Sequence, residues 1–310
     1  MPLSVISFSS CNPNPINVNM QIPFILAYDK NDMKEKKLKR MVKGYIYLDR
    51  IKRLPSSYDM VGHIAIIEVP HELQKEKRTI AKALMETNKK IETVLEKKSE
   101  RTGEYRIRKH ILLAGKRKTE TVHKEYGCTF KVDPTKVYFS PRELTERQRI
   151  AEQVKPRETV MVMFSGVAPY AIQIAKKQPK VKKVIAIEIN PIGHKYALEN
   201  IRINKVSDKV TPILGDVNDV CKPWFRKCSR VLMPLPTESH NFLEIAAKCA
   251  RKGGIIHYYT VNRDAEDFTG LKATIRQILK GKRNYRIVKI RKVLPYAPRR
   301  WKVCVDMKMV

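Results

Sequence analysis

A doubly wound α/β fold is what this sequence predicts: a mostly parallel seven-stranded sheet with an antiparallel edge, preceded by a smaller N-terminal α+β domain. Three observations predict it. Between Thr159 and Pro191 an apolar run of strand character breaks at Ser165-Gly166 and resumes with helical spacing from Pro169. It is followed by a second apolar run, Val184 to Ile189, with Glu188 near its end. Strand, small-residue turn, helix and a strand closing on a carboxylate make the first unit of a nucleotide-binding, Rossmann-like fold. Downstream, strand-like and helix-like segments alternate up to a final pair of strands, the pattern of a parallel sheet with helices on both faces. Finally, 310 residues with 43% hydrophobic side chains suffice for a large domain with a smaller one beside it.

Taken in order, Met1 to about Tyr28 reads as irregular backbone, with CNPNPINVN inside it. Asn31 to Lys43 is a basic, weakly periodic helix, and Lys52 to Tyr58 a connector. Tyr58 to Pro70 reads as one strand stopped by proline. A helix follows from His71 to Thr87, with Leu73, Ile80, Ala81 and Leu84 on one face. Strand-like runs come next at Ile91 to Glu96, Tyr105 to Leu113, Thr119 to Glu125, Cys128 to Val132 and Lys136 to Phe139. The divisions expected are an N-terminal extension over 1–56, an α+β unit over 57–135 and the large sheet over 136–310. Leu144 to Val154 is a short helix ahead of the central unit. After Glu188 come a helix from Ile192 to Asn204 and strands Val210 to Leu214, Arg230 to Leu235 and Gly254 to Val261. A helix, Ser239 to Ala250, precedes the last of these. A basic helix, Asp264 to Leu279, leads to closing strands Tyr285 to Leu294 and Arg300 to Met309.

The carboxyl ends of such parallel strands face one crevice, and Gly166, Glu188, Asp216 and Pro234 all fall there. Glu188, 22 residues after Gly166, is placed to accept hydrogen bonds from ribose hydroxyls. The glycine signal is partial: Ala168 and Ala171 stand where a Gly-x-Gly-x-x-Gly motif has glycine, so a plain crossover without cofactor is a competing reading.

Charge bounds the partners. Lys and Arg number 63 against 31 Asp and Glu, a formal charge of +32 that attracts polyanions, nucleic acid first and acidic membrane second. Leu271 to Lys302 holds twelve bases and no acid, interleaved with Tyr285, Tyr296 and Trp301; Lys30 to Arg53 holds ten bases and three acids. Solvated faces usually mix signs, and the stretch from Leu271 to Lys302 does not. Cys11, Cys128, Cys221, Cys228, Cys249 and Cys304 form no C-x-x-C pair and no zinc-type spacing with histidine, which predicts reduced thiols in a cytoplasmic protein and no metal. His123 reads as a strand-surface residue. The longest interior uncharged stretch, Thr159 to Ala175, is too short to span a bilayer and is broken by Gly166 and Pro169.

Particular stretches carry more than pattern. SYDMVGHIAIIEVP, GEYRIRKH, TETVHKEYGCTFKVDPTKVYFSPRELTERQRIAE, MFSGVAPYAIQIAK, AIEINPIGHKYALENIRINKV, GDV and RVLMPLP follow one another over about four fifths of the chain. In this the chain resembles the archaeal and eukaryotic tRNA (guanine(37)-N1)-methyltransferases. The resemblance implies S-adenosylmethionine as methyl donor without a metal, and tRNA as partner of a monomeric protein with no membrane attachment. The methyl acceptor it implies is N1 of the guanine 3′ to the anticodon. Carried over residue by residue, Arg106 stands where the family's arginine contacts the target guanine, and Glu146 where its general base is placed. Tyr138 and Arg147 match residues lining the cofactor and guanine pocket, with Phe164 and Gly166 in the turn. Glu188 and Ile189 match the ribose-binding pair, Asp216 and Val217 the pair beside the adenine. Three positions depart: Val162 replaces an aspartate, Ala168 a glycine, and Pro234 the asparagine of an Asn-Leu-Pro motif near the methyl-transfer site.

From the residues alone, Glu146 reads first as a helix-surface carboxylate paired with Arg142 or Arg149, and Arg106 as a strand-surface cation; only the resemblance turns both toward the site. The chemistry suits the assigned roles, because N1 of guanine must lose a proton to attack a sulfonium methyl. A carboxylate can take that proton while an arginine stabilises charge growing on O6. Two other readings stand beside this one. An aminocarboxypropyl transferase of wyosine biosynthesis uses the same cofactor but attacks another carbon. A non-catalytic RNA-binding protein would keep only the scaffold.

Overall fold

Gly62 and His63 fold the first predicted strand back on itself. In this computed structural model, which describes residues 57–99, 103–263 and 266–310 together with Lys39, Val42, Ile46, Arg50 and 52–54, the run from Tyr58 to Pro70 is a hairpin. Its strands β1 (Asp59–Val61) and β2 (Ile64–Ile67) pair antiparallel around Gly62 at φ 56°. A Cβ at Gly62 would lie 2.1 Å from Thr121 Oγ1, so glycine is required by both the turn and its neighbour. Helix α1 (Lys77–Thr87) carries the chain to β3 (Thr93–Lys97), parallel to β2, and β4 (His110–Gly115) completes a four-stranded sheet. The helix expected over Asn31 to Lys43 lies largely outside the described residues, although Lys39 and Val42 are helical.

The two faces of this small sheet serve different cores, as the two-residue period of a strand requires. Ala65, Ile67 and Val94 pack with Ile80 and Leu84 of α1 and with Val42, Ile46 and Leu54. The small unit therefore begins before residue 57. Val61, Ile64, Ile66 and Leu95 instead join the core of the larger sheet. So does the hairpin of β5 (Thr121–Glu125) and β6 (Cys128–Val132), through Cys128, Phe130 and Val132. The hairpin thus packs on the large-sheet side of the division expected at 135.

Lys136 to Phe139 is not a strand. Asp133 turns the chain there: its Oδ1 accepts from the Thr135 amide at 2.9 Å, and its carbonyl from the amides of Lys136 and Val137 at 3.0 and 3.1 Å. A 3₁₀ turn (Pro141–Glu143) and helix α2 (Leu144–Gln153) follow. The alternating part of the chain then runs β7 (Thr159–Val162), α3 (Pro169–Lys177), β8 (Lys183–Glu188), α4 (Pro191–Ile203), β9 (Val210–Leu214), α5 (Val217–Val220), β10 (Cys228–Met233), α6 (Leu243–Cys249) and β11 (Ala250–Asn262). Helix α7 (Thr269–Leu279) leads to β12 (Tyr285–Ala297) and β13 (Arg300–Met309). The sheet order is β12-β13-β11-β10-β7-β8-β9, with β13 antiparallel to both of its neighbours. Strands β7 to β11 are parallel.

Alternate residues of the central strands go to opposite layers. Val160, Val162, Val184 and Ala186 meet Ile150, Ile172 and Ile201 from α2, α3 and α4. Met161, Met163, Ile185 and Ile187 meet Leu243, Ala246 and Ile275 from α6 and α7. Two asparagines one turn apart, Asn200 in α4 and Asn204 at its C-terminal cap, complete the edge of the hairpin. Asn200 exchanges hydrogen bonds with the backbone of Lys131 at 2.7 and 3.0 Å, and Asn204 with that of Thr129 at 2.9 and 2.6 Å. Side chains here do what a further strand would do for β6. No helix among the described residues is long and apolar enough to cross a membrane.

Candidate functional site

Four parallel strands end at one cavity of about 420 Å³, a size suited to a small-molecule ligand. Phe164, Ser165 and Gly166 come from the end of β7, Glu188 and Ile189 from β8, Asp216 and Val217 from β9, and Pro234 from β10. The turn after β7 is unusually left-handed: Phe164, Gly166 and Ala168 have φ of 57°, 56° and 65°. It is held by the Ser165 amide donating to the Ile187 carbonyl at 2.8 Å and the Ala168 amide to the Ser165 carbonyl at 2.9 Å. Ala168 occupies a conformation that glycine adopts freely and alanine adopts at a cost of about 1 kcal/mol. Val162 is buried in the sheet between Leu232 and Ala186 and does not reach the cavity.

Glu188 ties the turn to the neighbouring strand. Its Oε2 accepts from the Gly166 amide at 2.6 Å and its Oε1 from the Asn190 amide at 2.9 Å. Burial raises its pKa, against the pull of these amides. Gly193 leaves room for it: a Cβ there would sit 3.2 Å from Glu188 Cγ. Asp216 caps α5, its Oδ1 accepting from the Asn218 amide at 2.8 Å. Ser165 Oγ is buried without a partner among the described residues. These groups fit an adenosine moiety: two carboxylates with free lone pairs for hydroxyls and amines, an unused hydroxyl, and apolar walls from Phe164, Ile189 and Phe242.

The opposite wall is the loop of Val137 to Ser140, with Tyr105, Arg106 and Tyr296 beyond it. Arg106 lies in a turn ahead of β4, not in the strand expected there. Its φ is 52°, and its guanidinium has no hydrogen-bond or ion-pair partner among the described residues. Arg147 also lines the cavity, but its donors are committed. Nε and a terminal nitrogen each donate to Glu125 at 2.7 Å, and both terminal nitrogens reach the Ser140 carbonyl at 3.1 Å. It thereby clamps the wall loop to β5. Burial works against the charge of each partner, but hydrogen bonding prevails: Glu125 raises the arginine, and His123 together with Arg147 lowers the Glu125 carboxyl.

Glu146, expected in the cavity, is not one of its lining residues. The helix turns it toward Arg149, which donates to both carboxylate oxygens at 2.7 and 2.5 Å, and Tyr259 donates to Oε1 at 2.6 Å. The pairing with Arg149 is the bland reading of the sequence. Behind it runs a buried polar chain: Arg149 reaches Asp306 at 3.4 Å, Asp306 accepts from His257 Nδ1 at 2.6 Å, and His257 Nε2 accepts from Arg230 at 2.6 Å. Cys304 completes a His-Cys-Asp group with ligand atoms within 4.8 Å of one another, which sequence spacing does not reveal. Two guanidiniums already sit against that group, and a cation would be repelled by them. On this segment the carboxylate that lines the cavity is Glu143, three residues earlier and missed by the sequence reading.

The wall is electrostatically inverted relative to the chain. Glu104, Glu143, Glu188, Asp216 and Glu238 line it against Arg106 and the already paired Arg147, in a protein of net charge +32. Such a cavity suits a cationic ligand and is ill suited to a pyrophosphate.

The TRM5/TYW2 methyltransferase domain family matches residues 121–288, and the TYW2 N-terminal domain family matches residues 38–119. The tRNA (guanine(37)-N(1))-methyltransferase Trm5b of Pyrococcus abyssi is 40% identical over 257 residues, 83% of this chain and 76% of that protein. The tRNA(Phe) (4-demethylwyosine(37)-C(7)) aminocarboxypropyltransferase of Methanocaldococcus jannaschii is 35% identical over 258 residues, 81% of this chain and 97% of that protein. A solved complex of aTrm5 and tRNALeu superposes with a TM-score of 0.77 at 33% identity, covering 94% of this chain and 84% of that one.

Proposed function

Since the chain belongs to the TRM5/TYW2 methyltransferase family, we propose that it methylates N1 of the guanine 3′ to the tRNA anticodon, at position 37, with S-adenosylmethionine as donor. The observation that carries this reading is the acidic cavity in a strongly basic protein, with Arg106 as its unpaired cation among the described residues. S-adenosylmethionine, when bound, supplies an electrophilic methyl on a positively charged sulfur. Glu188, Asp216 and the turn at Gly166 hold the nucleoside half, and Phe164, Ile189, Val217 and Tyr138 enclose it. Pro234 stands at the open end beside the acceptor. Arg106 faces the incoming base and stabilises charge that grows on guanine O6 as N1 loses its proton. Holding N1 in line with the methyl supplies a large share of the acceleration.

The polyanion comes to the exposed bases of α7, β12, the turn after it and the start of β13, Lys272, Arg276, Arg286, Lys289, Arg299 and Arg300 among them. Tyr296 connects that surface to the cavity. Contacts of this kind position the RNA, and the base itself is reached by splaying it from the anticodon loop.

Aminocarboxypropyl transfer is the second reading, favoured by the TYW2-type N-terminal match and by Pro234 in place of asparagine. One experiment separates them. The protein is incubated with unmodified tRNA and S-adenosylmethionine labelled separately in the methyl and aminocarboxypropyl groups, and the nucleosides are analysed by mass spectrometry. N1-methylguanosine carrying the methyl label is expected; an aminocarboxypropyl adduct would replace the first reading with the second.

A further inference from the structure

Arg106, Arg108 and His110 alternate with Ile107, Lys109 and Ile111 on the way into β4. All three line a second, smaller cavity of about 40 Å³ that is bounded by the same Val137 to Ser140 loop as the large one. Lys97 joins them from β3, where it pairs directly with His110 and so points to the same face. We propose that this small cavity binds a phosphodiester beside the target guanine, with these four side chains as its donors, while the base enters the large cavity. The proposal rests on the guanine-N1 reading above and deepens it.

Charge selects the ligand. Asp59 is the one acid among the described lining residues, and its carboxylate is already shared. Lys97 Nζ donates to Oδ2 at 3.0 Å, and Arg142 donates to Oδ1 from the rim. Burial works to raise the Asp59 pKa, but these two cations hold it below the ordinary range, so it stays ionised and its charge is offset twice over. Positive charge is therefore in excess here, whereas the large cavity is acidic. Two cavities of opposite sign share one wall: an anion is drawn to one and a sulfonium to the other.

Size and reach agree with charge. At about a tenth of the volume beside it, the cavity admits one small tetrahedral group and no purine. Guanidinium groups present N–H donors in a planar fork that matches phosphate oxygens. Lys97, Arg106, Arg108 and His110 are all half-buried, which leaves them reachable from solvent yet less screened than a surface cation. Arg106 and the loop from Val137 to Ser140 line both cavities. A nucleotide splayed from its loop carries base and flanking phosphates as one piece. With the base on one side of that wall and a phosphate on the other, the ribose straddles the loop. Such a contact reads no sequence, but it fixes how far the base is drawn in.

The test is single-turnover methyl transfer, at subsaturating protein, to three tRNAs. One has every phosphate intact; in the others the phosphate on the 5′ or the 3′ side of the target guanine is an uncharged methylphosphonate. One replacement should slow the wild-type protein by about tenfold to hundredfold, the worth of a hydrogen bond to a charged group. Arg108→Gln should lose a similar factor on the intact tRNA, yet be slowed by no more than about twofold further by that methylphosphonate, because the partner is already gone. A merely structural role would leave the methylphosphonate as costly in the variant as in wild type. His110→Gln is carried through the same cycle and decides the matter if Arg108→Gln fails to bind S-adenosylmethionine in a calorimetric check of folding. A wild type indifferent to both methylphosphonates within about twofold, or an undiminished methylphosphonate cost in the folded variants, overturns the proposal. If the wild-type protein places no methyl on guanine N1 of the intact tRNA, the underlying reading falls, and this assignment with it.

Discussion

Replacing Arg147 with methionine tests whether the cavity wall is held by one buried ion pair. The substitution keeps much of the aliphatic volume but removes four hydrogen bonds, two at 2.7 Å to Glu125 and two at 3.1 Å to the Ser140 carbonyl. Glu125, 8% exposed, is left with Gln173 at 2.7 Å and His123 at 3.5 Å. Breaking a buried pair from one side typically costs about 3–5 kcal/mol. At about 2–4 °C per kcal/mol for a domain of this size, Tm should fall by about 6–20 °C. The Ser140 carbonyl loses both donors, so the loop of Val137 to Ser140 loosens and S-adenosylmethionine binds more weakly. Differential scanning calorimetry with and without cofactor measures both effects. Arg147→Met/Glu125→Gln should recover part of the loss, because the orphaned charge is gone. A single variant melting within about 2 °C of wild type would falsify the clamp.

Four further outcomes are expected. Gly193→Ala places a methyl 3.2 Å from Glu188 Cγ; calorimetric titration should show cofactor affinity falling while Tm changes little, and unchanged affinity would remove Glu188 from the site. Arg106→Ala should lower single-turnover methyl transfer far more than cofactor affinity, and wild-type turnover would exclude its role at O6. Asp306 is held at about 2, His257 and Arg149 outweighing burial, so its contribution to stability is present above the ordinary 3.8 and is lost as pH falls toward 2. Urea melts of Asp306→Asn should therefore show a flatter stability curve over that acidic range. Affinity for tRNA, measured by filter binding, should fall linearly on a log–log plot against salt; a flat plot would rule out the basic surface of α7 and β12 as the phosphate-binding face.

The sheet was readable because its central strands are nearly continuous apolar runs between turns, buried on both faces, a signal that survives without tertiary information. Glu188 and Asp216 were readable for the same reason: a strand end marks the crevice whatever surrounds it. What failed was local and had particular causes. Gly62 with His63 reverses a run that looks continuous, and Asp133 turns Lys136 to Phe139 out of extended pairing by side-chain and backbone hydrogen bonds. Glu143 and Glu146 differ by three positions on one helical entry, so spacing could not say which faced the cavity. The decision lies with Lys302, 159 residues away, and Tyr259, 113 away. Likewise His257 and Asp306 meet across β11 and β13 by strand register, which no motif spacing records.

Strand β13 is made after every other described strand, yet it is inserted between β11 and β12 and brings Lys302 to Glu143. During synthesis β7 to β12 therefore emerge before the strand that completes the sheet and brings Lys302 against Glu143. Any intermediate with β12 docked directly on β11 would have to open again before β13 could enter. Activity should consequently appear late and all at once in a refolding time course, lagging behind the return of secondary structure.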